Sequence, residues 1–74
     1  MVKRQFTIKY SPELLHAPII YNLGQQFHLI TNIMLADISE DKGWMVLEVK
    51  GKAADIEEGI TWAISRGIQV DPIS

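Results

Sequence analysis

The chain contains no cysteine and only two histidines. Without cysteine there can be no disulfide, no thiolate zinc site, no iron–sulfur cluster and no thiol nucleophile. His16 and His28 are too few for a zinc triad, and we expect both at the surface. The acidic residues Asp37, Glu40 and Asp41 lack the spacing of a calcium-binding loop. The sequence therefore predicts a protein without a metal or another cofactor.

Long apolar runs and clustered positive charge are missing as well. No apolar segment approaches the roughly 20 residues that span a bilayer. The start MVKR is followed by alternation instead of the apolar region of a signal peptide. The seven Lys and Arg residues are scattered and the net charge is −2, so no basic stripe is available to bind phosphates. We expect a cytoplasmic domain with no membrane insertion and no nucleic-acid partner.

What is present is an ordinary globular composition in a short chain. Hydrophobic residues make up 47% and charged residues 22% of the 74 residues, which is typical of a folded domain. We interpret 1–74 as one domain. A domain of this size buries only about 60% of the surface of its unfolded chain. Since no disulfide stabilises it, oligomerisation is the remaining common way to enlarge its core.

The apolar spacing predicts six secondary-structure elements. Two-residue alternation predicts strands, and spacing near 3.6 residues predicts helices. Pro18 suits the first turn of a helix, Gly67 suits a helix stop, and Pro72 fits only the edge or the end of a strand. The predicted elements are a strand at 2–10, a helix at 18–27, strands at 28–38 and 44–49, a helix at 53–66 and a short strand within 68–73.

This β-α-β-β-α-β order predicts an α+β fold, the ferredoxin-like sandwich, in which both helices cover one face of a four-stranded antiparallel sheet. On the other face the first strand offers polar residues, but the middle two strands are apolar on both faces. So large an uncovered apolar surface is unusual for a monomer, and it predicts a homodimer through the sheet face. In the strand at 28–38 we expect the side chains that face the helices to be Leu29, Ile33 and Leu35. The side chains that face the partner copy are expected to be Asn32, Met34 and Ala36.

The sequence offers no recognisable catalytic site, and we do not expect an enzyme. The serines lack a neighbouring base, and the segment GKAAD lacks the residues of a phosphate loop. Trp44 and Trp62 are interpreted as packing residues, because no basic groove accompanies them. Asn32 allows two interpretations. Its amide either satisfies backbone groups near a strand end or edge, or binds the ammonium and carboxylate of a small ligand such as an amino acid.

Four stretches of the chain carry a resemblance to a known family: TIKYSPELLHAPIIYNLGQQFHL, TNIMLADI, GWMVLEVKG and IEEGITWAISRGIQVDPI. Together they cover nearly the whole chain, and the more specific part is an asparagine, Asn32, followed by Glu48 and Gly51. With this pattern the chain resembles the NIL domain. That domain is a small module at the C-terminus of the ATPase subunits of methionine ABC importers, and it also occurs fused to ferredoxins or alone.

The resemblance implies a ferredoxin-like fold close to the amino-acid-sensing ACT domains, and a dimer through the sheet. It also implies that methionine binds at the dimer interface and holds back transport. The ligand-binding residues implied in this way are Asn32, with the apolar Ile33, Met34 and Ala36 on the same strand. Ile19 and Ile20 are added as residues that could line the wall of the pocket, because their apolar side chains fit that place.

The predicted function is therefore a regulatory domain that binds methionine or a similar amino acid as a homodimer, in association with the ATPase of a methionine importer. The alternative is a ligand-free interaction module that docks on a transporter ATPase or on a redox partner. In both cases the apolar surface of the sheet is the contact surface.

Overall fold

The computed structural model describes residues 1–10, 18–38 and 43–73. Its elements follow the predicted order: β1 Val2–Tyr10, α1 Ile19–Phe27, β2 Ile30–Ile38, β3 Gly43–Gly51, α2 Ala53–Ser65 and β4 Gln69–Pro72. The strand β2 begins two residues later than predicted, and β3 extends further at both ends. His16, Glu40 and Asp41 lie outside the described residues.

The four strands form one antiparallel sheet in the order β2-β3-β1-β4. The longest ladders join β3 to its two neighbours, so β3 and β1 are central and β2 and β4 are the edge strands. Both helices pack on the same face, since α1 and α2 contact each other and supply buried residues to one core. The predicted ferredoxin-like sandwich is confirmed. In the part of the chain that the structure describes, no helix is long and apolar enough to cross a membrane.

The core lies between the helices and the inner face of the two central strands. In β3 alternate residues are buried, and Leu47 and Val49 are fully inaccessible to solvent. Burying one side chain of this size contributes about 1.5–3 kcal/mol to folding. The helices add Leu23 from α1 and Ile56 from α2, each 1% exposed. The buried residues of the strands and of both helices therefore form a single core.

The connection from α1 to β2 is a tight helix stop. His28 has a left-handed conformation with φ 54°, and the N–H of Leu29 donates to the carbonyl of Gly24 at 3.0 Å. This six-to-one hydrogen bond is the signature of a Schellman C-cap, whose left-handed residue is most often glycine. The chain thus turns directly from the helix into the sheet. Leu29, 6% exposed, is placed in the core as predicted.

Leu29 fits because three glycines surround it. A Cβ on Gly51 would lie 2.6 Å from Leu29 Cδ2, and a Cβ on Gly59 would lie 3.0 Å from Leu29 Cδ1. A Cβ on Gly24 would lie 3.1 Å from the Leu29 carbonyl oxygen. The close approach of the Leu29 backbone therefore explains why Gly24, a poor helix former, lies inside α1.

Up to its middle, β2 follows the predicted alternation. Ile33 lies opposite Leu47 on the side of the helices, and Asn32 lies opposite Glu48 on the other side. Both placements agree with the expectation for these two residues. The regular part of the strand therefore has the two faces that were expected.

Beyond Ile33 the prediction is wrong, because the register shifts at Met34. Leu35 lies opposite Val46 and so faces away from the helices, whereas Ala36 lies opposite the buried Met45 and faces toward them. One extra residue in a β-bulge moves each following side chain of the strand to the opposite face of the sheet. The sequence did not reveal the bulge, because apolar residues occupy both faces of this strand.

Candidate functional site on the open sheet face

The face of the sheet opposite the helices is called the open face here. It is formed by residues from all four strands: Ile30, Asn32, Leu35 and Asp37 of β2, Trp44, Val46, Glu48 and Lys50 of β3, Lys3, Gln5, Thr7 and Lys9 of β1, and Gln69 and Asp71 of β4. Its chemistry changes across the sheet. Its apolar residues lie on β2 and β3, where polar and charged residues alternate with them, and the β1 side is polar and positively charged. A ligand at the border would meet both kinds of surface.

Asn32 begins a row of polar side chains that crosses the open face. It lies opposite Glu48, which in turn lies opposite Gln5 on β1. Gln5 Nε2 donates to Glu48 Oε2 at 3.4 Å, and both side chains are half-buried. At this distance the hydrogen bond is weak, but it holds one carboxylate oxygen of Glu48 toward β1. The row places an amide and a carboxylate side by side.

The amide of Asn32 is exposed to solvent. Its Nδ2 donates to Met34 Sδ at 3.4 Å, and a thioether is a weak acceptor. Within the described ranges, no hydrogen bond joins this side chain to a backbone group. The interpretation that the amide satisfies backbone groups therefore finds no support in residues 18–38 and 43–73. An amide left free at an edge and an amide that binds a ligand both agree with this geometry.

The structure brings together only some of the predicted ligand-binding residues. Asn32 and Met34 are in direct contact. Ile33 and Ala36 are exposed but lie on the other side of β2, toward the helices. Two further predicted residues at the start of α1 are half-buried and pack against the core: Ile19 and Ile20. A single subunit therefore presents Asn32 and Met34 together, and a role in ligand binding stays a prediction for all six residues.

Two charged residues beside Asn32 were not predicted as site residues. Glu48 lies directly opposite Asn32, and Lys50 follows two residues later on the same face, opposite Ile30 and Lys3. Residues two apart in a strand are separated by about 6.6 Å. Glu48 interrupts the otherwise apolar run from Trp44 to Val49, and that interruption was the available signal. The open face thus combines an acceptor, a donor and both signs of charge within a few residues.

A concave surface lies on the helix side. It is a shallow hollow whose lining residues are Phe27 of α1 and Glu57, Glu58, Thr61, Trp62 and Ser65 of α2. The rings of Phe27 and Trp62 are 5.9 Å apart at an angle of 55°, and the Arg66 guanidinium lies 5.3 Å from the Trp62 ring. Trp62 is therefore a packing residue, as predicted. Its contacts tie the end of α1 to α2.

Comparison with known proteins agrees with this architecture. The family model of the NIL domain matches residues 4–72. No curated protein sequence matches the chain significantly. Among solved structures, the chain is similar to the crystal structure of the C-terminal domain of an ABC transporter ATP-binding protein from Enterococcus faecalis. The TM-score is 0.81 at 15% sequence identity, and the match covers 96% of this chain and 83% of that one.

That structural likeness, at such low identity, concerns the fold alone. The family match is of a different kind, because it follows the amino-acid pattern over residues 4–72. On this basis the chain belongs to the NIL domain family.

Proposed function

We propose that this chain is a regulatory domain that binds a small zwitterionic ligand, methionine or a similar apolar amino acid, and that it acts as a homodimer. The observation that supports the proposal is the polar row of Asn32 and Glu48 at the border of an exposed apolar surface. A carboxylate and an amide suit the two charged groups of an amino acid, and the apolar surface suits its side chain.

In the proposed site each charged group of the ligand has a partner of opposite charge or an amide partner. The α-ammonium group binds Glu48 and the carbonyl oxygen of the Asn32 amide. The α-carboxylate accepts hydrogen bonds from Asn32 Nδ2 and from the ammonium of Lys50. It thereby replaces Met34 Sδ as the acceptor for Asn32 Nδ2. The apolar side chain of the ligand then packs on Leu35, 58% exposed, and on the half-buried Val46.

The proposed homodimer follows from the shallowness of this site. Small-molecule sites bury most of the ligand surface, and Asn32, Met34 and Leu35 are all exposed in the single subunit. A second copy would cover the ligand from the opposite side. The remaining predicted residues Ile33 and Ala36 face another direction, so we expect any role in binding to depend on the partner copy.

The proposed regulatory context is an ATP-driven transporter. The similar structure from Enterococcus faecalis is the C-terminal domain of an ABC transporter ATP-binding protein. We propose that this chain likewise acts in the cytoplasm on the ATP-binding subunit of a transporter and reports the level of the bound amino acid. The proposed regulation occurs by binding, without catalysis.

Calorimetric titration with a panel of free amino acids tests the proposal. Methionine or another apolar amino acid should bind, and Asn32→Ala should weaken that binding by about 1–3 kcal/mol, or roughly fivefold to 150-fold, because polar ligand atoms lose their partner. Gln25→Ala, at an exposed position of α1, is the matched control and should bind as the unchanged protein does. The absence of a heat of binding for every amino acid in the panel would contradict the proposal.

The exposed apolar strand β2 supports a second candidate function, a ligand-free interaction module. In that case the apolar surface binds a transporter ATPase or a redox protein directly. Copurification of the chain with an ATP-binding subunit, combined with no heat of binding for any amino acid, is the result that would favour this candidate.

A further inference from the structure

Two lysines lie directly opposite each other on the open face. Lys3 of β1 is in register with Lys50 of β3, and both side chains are exposed. Residues in this relationship have Cβ atoms about 4.5–5.5 Å apart, and like charges placed there destabilise a sheet. On its other side Lys50 lies opposite Ile30, which carries no charge. The lysine pair is therefore a local concentration of positive charge that opposes the pairing of the two strands.

The carboxylates around the lysine pair offset this charge only in part. Glu48 lies two residues from Lys50 on the same face, about 6.6 Å along the strand, and it accepts a hydrogen bond from Gln5 Nε2 at 3.4 Å. The other carboxylates that the described strands place on this face are Asp37 and Asp71, which lie at least about 13 Å along the strands from the pair. One carboxylate therefore serves two ammonium groups, and one positive charge is left over.

The third lysine of the open face has a different environment. Lys9 lies at the other end of β1, opposite Trp44 on β3 and Gln69 on β4, and both neighbours are uncharged. The repulsion is thus a property of the Lys3 end of the sheet alone. A local conflict of this kind is expected at a functional site, where a residue is kept for binding and not for stability.

We propose that Lys3 and Lys50 together bind the carboxylate of the amino-acid ligand, so that Lys3 is a further binding residue. Hydrogen bonds from an ammonium group to a carboxylate are about twice as strong as those between neutral groups. A bound carboxylate replaces the repulsion between the lysines by two attractions. Its effect is largest when Glu48 binds the α-ammonium group of the ligand, because neither lysine then has another counter-charge.

The order of the strands brings these groups together. Lys3 and Asn32 lie on the two strands that flank β3, and Lys50 lies on β3 between them. Neighbouring strands are about 4.8 Å apart, and the flexible four-carbon side chain of Lys3 lets its ammonium group reach over β3. The inference rests on the proposed function for the identity of the ligand, whereas the anion site itself follows from the register of β1 and β3.

Thermal unfolding without a ligand tests the repulsion. Lys3→Gln removes one charge of the pair, and at low ionic strength and one fixed protein concentration it should raise the melting temperature by about 1–5 °C. Lys9→Gln changes the net charge equally but removes no opposed lysine, so it should give no such gain. A Lys3→Gln variant that is no more stable than Lys9→Gln would overturn the inference.

Titration with sodium acetate, followed by nuclear magnetic resonance, tests the anion site without methionine. Sodium chloride at the same ionic strength is the reference. The backbone amide signals of Lys3 and Lys50 should shift and reach saturation with acetate, and the shift should be lost in Lys3→Gln but retained in Lys3→Arg, which keeps the charge. Equal shifts with acetate and chloride, or in Lys3→Gln and the unchanged protein, would overturn the inference.

Calorimetry with methionine separates the inference from the proposed function. Lys3→Gln should weaken binding by at least about threefold, whereas Lys9→Gln should bind as the unchanged protein does. Equal affinities in Lys3→Gln and the unchanged protein would overturn the role of Lys3 while leaving the ligand site in place. No heat of binding with methionine, together with an acetate response at both lysines, would refute the proposed function and support the anion site.

Discussion

Asn32 and Leu35 lie on the same face of β2, although a spacing of three residues would put them on opposite faces of a regular strand. They lie opposite Glu48 and Val46, which are two residues apart on β3. The bulge at Met34 produces this arrangement by adding one residue to β2. As a result, an amide and a large apolar side chain are neighbours on the open face, and the proposed amino-acid site depends on this combination.

Glu48→Gln should weaken binding of methionine by about tenfold to a hundredfold. A hydrogen bond to a charged group contributes about 1.5–3 kcal/mol, and the substitution removes the charge while keeping an oxygen that accepts from Gln5 Nε2. Calorimetric titration measures the change. Glu57→Gln, an exposed carboxylate on α2, is the control. Equal affinities in the Glu48→Gln variant and the unchanged protein would remove Glu48 from the site.

His28→Gly should stabilise the domain by about 0.5–1 kcal/mol. His28 has φ 54° at the end of α1, and a left-handed conformation is unfavourable for residues with a Cβ but not for glycine. Urea unfolding at one fixed protein concentration measures the free energy, since a dimer would make stability depend on concentration. His28→Ala retains the Cβ and is the control, and it should give no such gain. A destabilised His28→Gly variant would mean that the His28 side chain itself stabilises the fold.

Gly59→Ala should destabilise the domain by about 1 kcal/mol, although alanine is the better helix former by nearly the same amount. The added Cβ would lie 2.9 Å from Leu23 Cδ1 and 3.0 Å from Leu29 Cδ1, and both leucines are buried. Overpacking of this kind costs about 1–3 kcal/mol. Thermal unfolding compared with Thr61→Ala, exposed on the same helix, separates packing from helix propensity. A stabilised Gly59→Ala variant would show that the two leucines can move aside.

The elements themselves were predictable because their signals are local. Alternation from Val2 onward predicted β1, and the spacing of Ile56 and Ala63 predicted the buried face of α2. The stop at Gly67, which has φ 90°, was also predicted. The polar outer face of β1 followed from the same alternation, whereas the position of Asn32 did not, because β2 is apolar on both faces.

The site was predicted less completely, and each failure has a physical reason. Leu35 and Ala36 were assigned to the wrong faces, because a bulge depends on how β2 matches β3 and not on β2 alone. Glu48 was noted as part of the family pattern but not as a site residue, because its place opposite Asn32 depends on the register between two strands. The contributions of Ile19 and Ile20 stay a prediction.

By itself, the sequence determined the six elements, their order and the family, since alternation, helical spacing, turn residues and characteristic positions are properties of short stretches of chain. Only the tertiary structure decided the bulge at Met34, the pairing of Asn32 with Glu48 and the exposure of β2 on both faces. These features depend on contacts between segments that are distant in sequence. The free energy that stabilises these features comes from contacts between two strands. Neither strand alone therefore specifies them.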